Sequence, residues 1–324
     1  MKILVTGGLG FIGSNWIKFD LERHPDDFVT NLDKKTYAAN PLAEAELSGY
    51  SNYRLVVGDI RDSENLRVAT TDKDAIVNFA AETHVDRSII DPFSFASTNV
   101  IGTLNLLEVA RKNEVKRFHH VSTDEVFGSL TLDSVEKFVE RSRYDPRNPY
   151  SASKASSDFF VRAYHETYGL ETTITNCSNN FGPYQHPEKL IPKTVLNALE
   201  NRPVPIYGDG RHTRDWLYVY DHCSAIDLVL RKGRAGESYC VSASNEISNL
   251  ELVKMILNMM GKDSSLIQFV KDRPGHDRRY SIDATKIISE LGWKPEKTFH
   301  ESLEATINWY KTNHESIESH YRGN

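Results

Sequence analysis

Cysteine is scarce in this 324-residue chain. The three present, Cys177, Cys223 and Cys240, stand far apart, are odd in number and form no CxxC pair. That argues against a disulfide framework or a cysteine-built zinc site, so reduced thiols, a cytoplasmic location and no metal are expected. Long apolar runs are missing as well: none approaches the ~20 residues of a membrane-spanning helix. The opening MKILVTGG runs into glycines after a few apolar residues, so no secretory leader is expected. Basic residues are outnumbered, 39 Lys and Arg against 45 Asp and Glu, for a net charge of −6. Nucleic acid would find no general electrostatic hold on such a chain. Internal repeats and low-complexity tracts are also absent. The composition that is left, 39% hydrophobic and 26% charged, is that of a soluble globular protein with enough chain for one large α/β domain or two modest ones.

Through the first half, short apolar runs alternate with helix-length stretches. KILVT (2–6), FVTNLD (28–33), YRLVVGD (53–59), AIVNFAA (75–81) and RFHHVST (117–123) read as buried strands, and TTITNC (172–177) extends the same sheet. Within 97–112, Val100, Thr103, Leu104, Leu107 and Ala110 recur at helical spacing. This alternation predicts a parallel sheet covered on both faces, a Rossmann-type doubly wound α/β fold. After about residue 178, Pro, Gly, Asn and charge dominate SNNFGPYQHPEKLIP and NRPVPIYGDGRHTRDW, which read as loops or short elements. Amphipathic helices are expected at 248–260 and 301–313. The expected division is an NAD-binding domain over 1–178 and a smaller substrate-binding lobe over 179–324, with YVYDHCSAIDLVL (218–230) a segment that can return to the main sheet.

Three stretches carry chemistry. VTGGLGFIG (5–13) spaces Gly7, Gly10 and Gly13 between the first strand and a helix, where glycine lets backbone N–H groups approach a pyrophosphate. Three glycines alone are weak evidence; the strand before and the helix after strengthen them. Asp33 closes the second strand 20 residues beyond Gly13, where a carboxylate binds the adenosine ribose hydroxyls and favours NAD. Lys34 and Lys35 follow and soften that preference. Asp59 reads as an adenine contact or a strand-end cap. In PYSASKASSDFFVRAYHETYG (149–169), Tyr150 and Lys154 lie one helical turn apart, and a neighbouring ammonium is expected to lower the tyrosine pKa. Such a tyrosine can take a proton from a sugar hydroxyl, with Thr123 orienting the same oxygen. In HHVSTDEVFG (119–128), Asp124 and Glu125 stand directly behind the fifth strand; in isolation an acid pair there reads as a turn.

Together these residues resemble an extended short-chain dehydrogenase/reductase. DKKTYAAN (33–40), NFAAETHVDRSI (78–89), STDEVFG (122–128), YSASKASSD (150–158), NCSNNFGPYQHPEKLIP (176–192), YGDGRHTRDWLYV (207–219) and RPGHDRRY (273–280) are similar to the dTDP-glucose 4,6-dehydratase family, from Met1 to about Tyr310. The resemblance implies that NAD is tightly bound and regenerated at each turnover. It implies that dTDP-D-glucose is oxidised at carbon 4, loses water across carbons 5 and 6, and regains hydride at carbon 6. The product, dTDP-4-dehydro-6-deoxy-D-glucose, leads to rhamnose and other deoxysugars. On this reading Thr123, Asp124, Glu125, Tyr150 and Lys154 are catalytic, with Glu125 the base at carbon 5 and Asp124 the acid at the carbon 6 hydroxyl. The residues alone leave the reverse assignment open. Asp124 must stay protonated near neutral pH, through burial and the Glu125 charge.

The resemblance assigns Gly7, Gly10, Phe11, Ile12, Gly13, Asp33, Lys34, Thr36, Asp59, Ile60, Ala80, Ala81, Thr83, Thr98 and Asn180 to the cofactor, together with Tyr150 and Lys154. His84, Thr123, Asn179, Lys189, Leu190, Pro205, Ile206, Tyr207, Arg214, Asn249, Asp272, Arg273 and His276 fall to the sugar nucleotide. A homodimer through the helices near 97–112 and 150–168 is implied too. Several positions depart from the family pattern. Leu9 is expected to crowd the glycine loop, Phe127 and Phe181 lack hydroxyls, 129–147 reads as a mobile flap, and Ser242 to Ser244 replace glycines. The rival readings are a dehydratase or 4-epimerase acting on a UDP-, GDP- or CDP-sugar, and a dinucleotide sensor without turnover.

Overall fold

The computed structural model describes residues 1–321. Its strands are β1 (Lys2–Thr6), β2 (Phe28–Asp33), β3 (Tyr53–Val57), β4 (Ala75–Asn78), β5 (Arg117–Thr123), β6 (Thr172–Cys177), β7 (Asn179–Phe181), β8 (Val204–Tyr207), β9 (Thr213–Tyr218), β10 (Ser238–Val241), β11 (Glu246–Ser248) and β12 (Ile267–Val270). Seven of them form one sheet in the order β10-β6-β5-β4-β1-β2-β3, and every pairing in it is parallel. The Rossmann-type expectation is met.

Alternation along each strand explains how both faces are buried. On β1, Ile3 and Val5 join Trp16, Ile17, Leu21 and Ile226 on one face, while Leu4 joins Leu106, Leu107 and Val161 on the other. The first face is covered by the helices Phe11–Arg23 and Val219–Lys232, the second by Thr103–Lys112 and Pro149–Tyr168. The same period sets two neighbouring histidines on β5 apart. His119 reaches Thr173 and Thr175, whereas His120 reaches Asn78 and Lys154. Strand order reverses between β4 and β1, which opens a crevice at the carboxyl ends of the strands.

The boundary at residue 178 does not cut the fold cleanly. β10 adds to the main sheet beside β6, and the helix Val219–Lys232 packs beneath it, as the 218–230 segment suggested. The rest of the later half builds the smaller layers β11-β9-β7 and β12-β8 around the helices Leu190–Leu199, Asn249–Met259 and Phe299–Thr312. The helix expected over 97–112 starts instead as a wider π-type turn, Ala96–Gly102, and becomes α-helical at Thr103. The widened turn leaves the Asn99 carbonyl to accept from Ser157 Oγ at 2.6 Å.

The 129–147 segment is pinned rather than free. Leu130 and Phe138 bridge to Arg279 and Ile282, the Phe138 ring stacks on Phe127 at 5.4 Å, and Tyr144 packs edge-on to Phe127. Ser242 to Ser244 likewise have a use here. Ser242 Oγ donates to buried Asp215, whose other oxygen accepts from the Asn245 N–H at 2.9 Å.

Candidate active site

The crevice is built first by glycine. Gly7 has φ +70°, and a Cβ there would lie 2.7 Å from the Ala80 backbone. A Cβ on Gly13 would lie 2.6 Å from the Gly7 carbonyl, so helix and loop meet at van der Waals limits. The helix Phe11–Arg23 begins at Gly10 with no side-chain cap, which leaves its first N–H groups open to an anion. Asp33 holds the loop from below: its oxygens accept from the Leu9 N–H at 2.9 Å and the Lys35 N–H at 2.7 Å. A carboxylate has lone pairs to spare after that, and Asp33 also lines the crevice. A cradle that a single methyl group would fill, an uncapped helix start and a strand-end carboxylate fit the diphosphate and ribose of NAD.

Leu9 does not crowd this cradle. It is fully buried among Trp16, Ile17 and their neighbours, turned away from the crevice. Lys34 lines the crevice but pairs with Asp59 at 3.1 Å, and Lys35 pairs with Glu44. Neither cation is therefore free to attract an added phosphate. Asp59, between Lys34 and Arg61, is held far below the usual carboxylate range and both caps its strand end and lines the crevice.

One continuous cavity collects every residue assigned above to the cofactor, from Gly7 to Asn180, together with His84, Thr123, Asp124, Glu125, Asn179 and Lys189. Asn180 turns its side chain inward, with Nδ2 donating to the Ser178 carbonyl and Oδ1 meeting His222 at 2.9 Å. Leu190, Pro205, Ile206, Tyr207, Arg214, Asn249, Asp272, Arg273 and His276 stand outside that cavity in the second lobe. Ile206 is buried among Val204, Val253 and Leu257, because strand alternation turns it away from the side shared by Pro205 and Tyr207. Asn249 opens the helix Asn249–Met259 and donates its N–H to the His212 carbonyl at 2.9 Å. Asp272 binds His276 at 2.7 Å, and the His276 ring stacks on His212 at 3.7 Å. Arg214 and Arg273 lie near enough for their charges to act on Glu125.

The acid pair sits in a 3₁₀ turn, Asp124–Phe127, directly after β5. Thr123 Oγ1 caps that turn by accepting from the Glu125 N–H at 3.3 Å. Asp124 is 1% exposed and its Oδ2 has no hydrogen-bond partner among the described residues. Burial and then the Glu125 charge push its carboxyl well above the ordinary range, which favours its protonated form. Glu125 opens partly to the cavity. Burial raises its carboxyl too, but Arg273, Arg214 and Lys189 act against that, and Ser151 Oγ donates to it at 3.3 Å.

Tyr150 enters on the first turn of the helix Pro149–Tyr168. Asn148 caps that helix, accepting from the Ser151 N–H at 2.9 Å, and Pro149 occupies a position where no N–H is needed. The Tyr150 ring packs edge-on to Phe95. Its expected low pKa is not what the environment gives. Burial, with the charges of Glu125, Cys177 and Asp124 behind it, drives the phenol well above its ordinary value. Lys154 does not offset this because its ammonium turns to the Val121 carbonyl, 2.8 Å away, and burial lowers it to about 8.

Residues beyond those assigned also enter the site. Glu188 meets His84 Nε2 at 2.6 Å, and that pair holds Glu188 down to about 2 against its burial. Buried Tyr280 donates to Asp277 at 2.6 Å, lies 4.4 Å beneath the Arg214 guanidinium, and feels the Glu125 charge. Both lie inside motifs quoted for the resemblance, but nothing in their spacing marks them.

Comparison with known proteins agrees with this geometry. The family model described as GDP-mannose 4,6 dehydratase matches residues 4–306. The chain is 49% identical to the dTDP-glucose 4,6-dehydratase of Salmonella typhimurium strain LT2, over 97% of this chain and 93% of that one. It is 46% identical to the enzyme of the same description from Mycobacterium tuberculosis, over 97% and 94%. A crystal structure of the dTDP-glucose 4,6-dehydratase DesIV from Streptomyces venezuelae, with NAD and TYD bound, superposes with a TM-score of 0.96 at 48% identity, covering 99% of this chain and 100% of that one. A UDP-glucose 4-epimerase from Thermotoga maritima shares the fold at 28% identity and a TM-score of 0.89, over 97% and 99%. With relatives this similar along nearly its whole length, the chain belongs to the dTDP-glucose 4,6-dehydratase family.

Proposed function

We propose that this site oxidises, dehydrates and reduces dTDP-glucose in one bound sequence, releasing dTDP-4-dehydro-6-deoxy-D-glucose and water. The observation that carries this is the Asp124–Glu125 pair, facing the same cavity as Tyr150 and the dinucleotide cradle. Exchanging hydride at a single carbon needs a proton acceptor such as Tyr150. Losing water needs, in addition, a base for one carbon and an acid for its neighbour.

Bound NAD would supply the two-electron oxidation of carbon 4 and return the same hydride to carbon 6, ending each cycle unchanged. Tyr150, in its deprotonated form, takes the proton of the carbon 4 hydroxyl, and Thr123 orients that oxygen. The ketone at carbon 4 acidifies the proton on carbon 5, which Glu125 removes. Asp124, kept protonated by burial, gives its proton to the departing carbon 6 hydroxyl. Glu125 then returns a proton to carbon 5. Lys189, Arg214 and Arg273 match the two charges of the substrate diphosphate, the arginines in bidentate fashion.

The lobe from 179 onward is assigned to the sugar nucleotide, and the cytoplasm to the protein. The chain is further proposed to act as a homodimer through the helices Thr103–Lys112 and Pro149–Tyr168. On and beside them Ile101, Phe159, Phe160 and Tyr168 are exposed. The test is to incubate purified protein with dTDP-glucose, adding no NAD, and assay the alkaline chromophore of a 4-dehydro-6-deoxy sugar. UDP-, GDP- and CDP-sugars run in parallel. Product from dTDP-glucose alone is expected; product from another base, or a 4-epimer, would replace this reading.

A further inference from the structure

Behind Tyr150 lies a row of buried polar groups that the reaction as written does not use. We propose that buried Asp158 is the counter-charge of the Lys154 ammonium, a positioning residue that acts through Lys154 on the oxidation step at Tyr150, with the His120 imidazole packed beside both.

Geometry carries the proposal. The three side chains are 4%, 1% and 0% exposed for Lys154, His120 and Asp158. Lys154 Nζ lies 3.2 Å from His120 Nε2, and the same nitrogen lies 3.5 Å from Asp158 Oδ1. Both charged groups therefore approach one nitrogen of the imidazole, which cannot accept from the ammonium and donate to the carboxylate at once, so Asp158 acts on Lys154 by charge across a short distance. Asp158 is held in that direction from its far side: Oδ2 accepts from Ser122 Oγ at 2.9 Å, Tyr144 OH at 2.8 Å and Asn176 Nδ2 at 3.2 Å. Among the described residues Oδ1, the oxygen turned to His120, has no hydrogen-bond partner. Tyr150, Lys154 and Asp158 are successive fourth residues on one helix and so share a face.

The charges around Lys154 and Asp158 point the same way. Lys154 is faced by Tyr150 and Asp158 on its own helix, His120 on β5 and Cys177 on β6. Asp158 is faced by Lys154, Arg162, His120 and Tyr144, while Asp124 and Glu125 lie across the cavity. Burial lowers Lys154, and Asp158 is the leading influence that opposes it. Burial and Lys154 together keep His120 neutral, and burial pushes the Cys177 thiol up, so neither balances the ammonium. An ammonium this deep persists only with a partner. Tyr144 gives the pinned 129–147 segment a role in this, since it helps fix the carboxylate from outside the helix.

The proposal rests on assigning Tyr150 and Lys154 to the oxidation. Its test compares wild type, Asp158→Asn and Asp158→Glu by the pH dependence of cofactor reduction in a single turnover with dTDP-glucose. Wild type showing no cofactor reduction at any pH would overturn the assignment itself. Given that reduction, Asp158→Asn is expected to move the alkaline limb down by about one pH unit or more. Asp158→Glu, which keeps the charge, leaves the limb near its wild-type position. A lowered rate with an unmoved limb in Asp158→Asn would reduce Asp158 to a structural role and overturn the proposal. A thermal comparison needs no activity. Below neutral pH, where the lysine is charged, Asp158→Asn should melt lower than the double variant Lys154→Met/Asp158→Asn, in which no buried charge is left alone. A double variant no more stable than the single one would also overturn it.

Discussion

At Glu125 two influences oppose each other: burial favours the neutral acid, while Arg273, Arg214 and Lys189 favour the carboxylate. Asp124, deeper and beside that carboxylate, keeps its proton more readily. In the proposed roles, one strand end carries a base and an acid at the same pH. Glu125→Gln removes the base without changing shape, so oxidation should proceed and elimination stall. Reduced nicotinamide should accumulate on adding dTDP-glucose, with dehydration slowed ~10²–10⁴-fold; dehydration at the wild-type rate would reassign the base. Tyr150→Phe should instead abolish the transient reduced nicotinamide seen by its near-ultraviolet absorbance. The sign for Lys154 follows from its depressed value: the ammonium is present at lower pH and lost as pH rises through about 8. The oxidation step should therefore weaken on that alkaline side, which a single-turnover pH profile checks. Residue types at these positions were legible in the sequence, but the environment of Tyr150 was not. One helical turn puts Lys154 on its face, yet where the ammonium turns depends on the Val121 carbonyl of a different element.

Period-2 and period-4 patterns made most of the main sheet legible at the level of elements, because its inner strands are buried on both faces. Several elements escaped, two of them beside the site. The π-type turn at Ala96–Gly102 is fixed by Asn99, which exchanges hydrogen bonds with the Glu82 backbone and donates to Ser153, partners distant in sequence. The 129–147 segment reads as a flap because it has no period, and it is pinned by single contacts such as Phe138 on Phe127. The start of the catalytic helix offers a test at this scale. Asn148 caps it, and Asn148 Oδ1 and Glu125 share the single proton of Ser151 Oγ, at 3.0 and 3.3 Å. Asn148→Ala should cost about 1 kcal/mol of stability, read by denaturant unfolding. It should also lower turnover, because Ser151 loses the partner that steadies it beside the base. Loss of stability with unchanged turnover would separate the cap from the site.

Across the whole molecule the chain does not divide where its composition does. The loop-rich half begins near residue 178, but β10 and the helix Val219–Lys232 return to the first half's sheet, where Cys240 pairs with Asn176 and Ile226 meets Ile3 and Val5 in one core. Composition reports exposure, and only long-range pairing reveals the return. The proposed dimer is tested by Ile101→Asp combined with Phe160→Asp, two exposed positions beside and on the helices assigned to it. Light scattering should show the wild type at twice the chain mass and the variant as a monomer; a wild-type monomer would remove the interface. The central claim is that one site oxidises carbon 4 and reduces carbon 6 of the same sugar. The most direct measurement is turnover of dTDP-glucose deuterated at carbon 4, with product examined by mass spectrometry and NMR. Deuterium is predicted at carbon 6 of the product. Deuterium retained at carbon 4, or lost to solvent, would contradict the account.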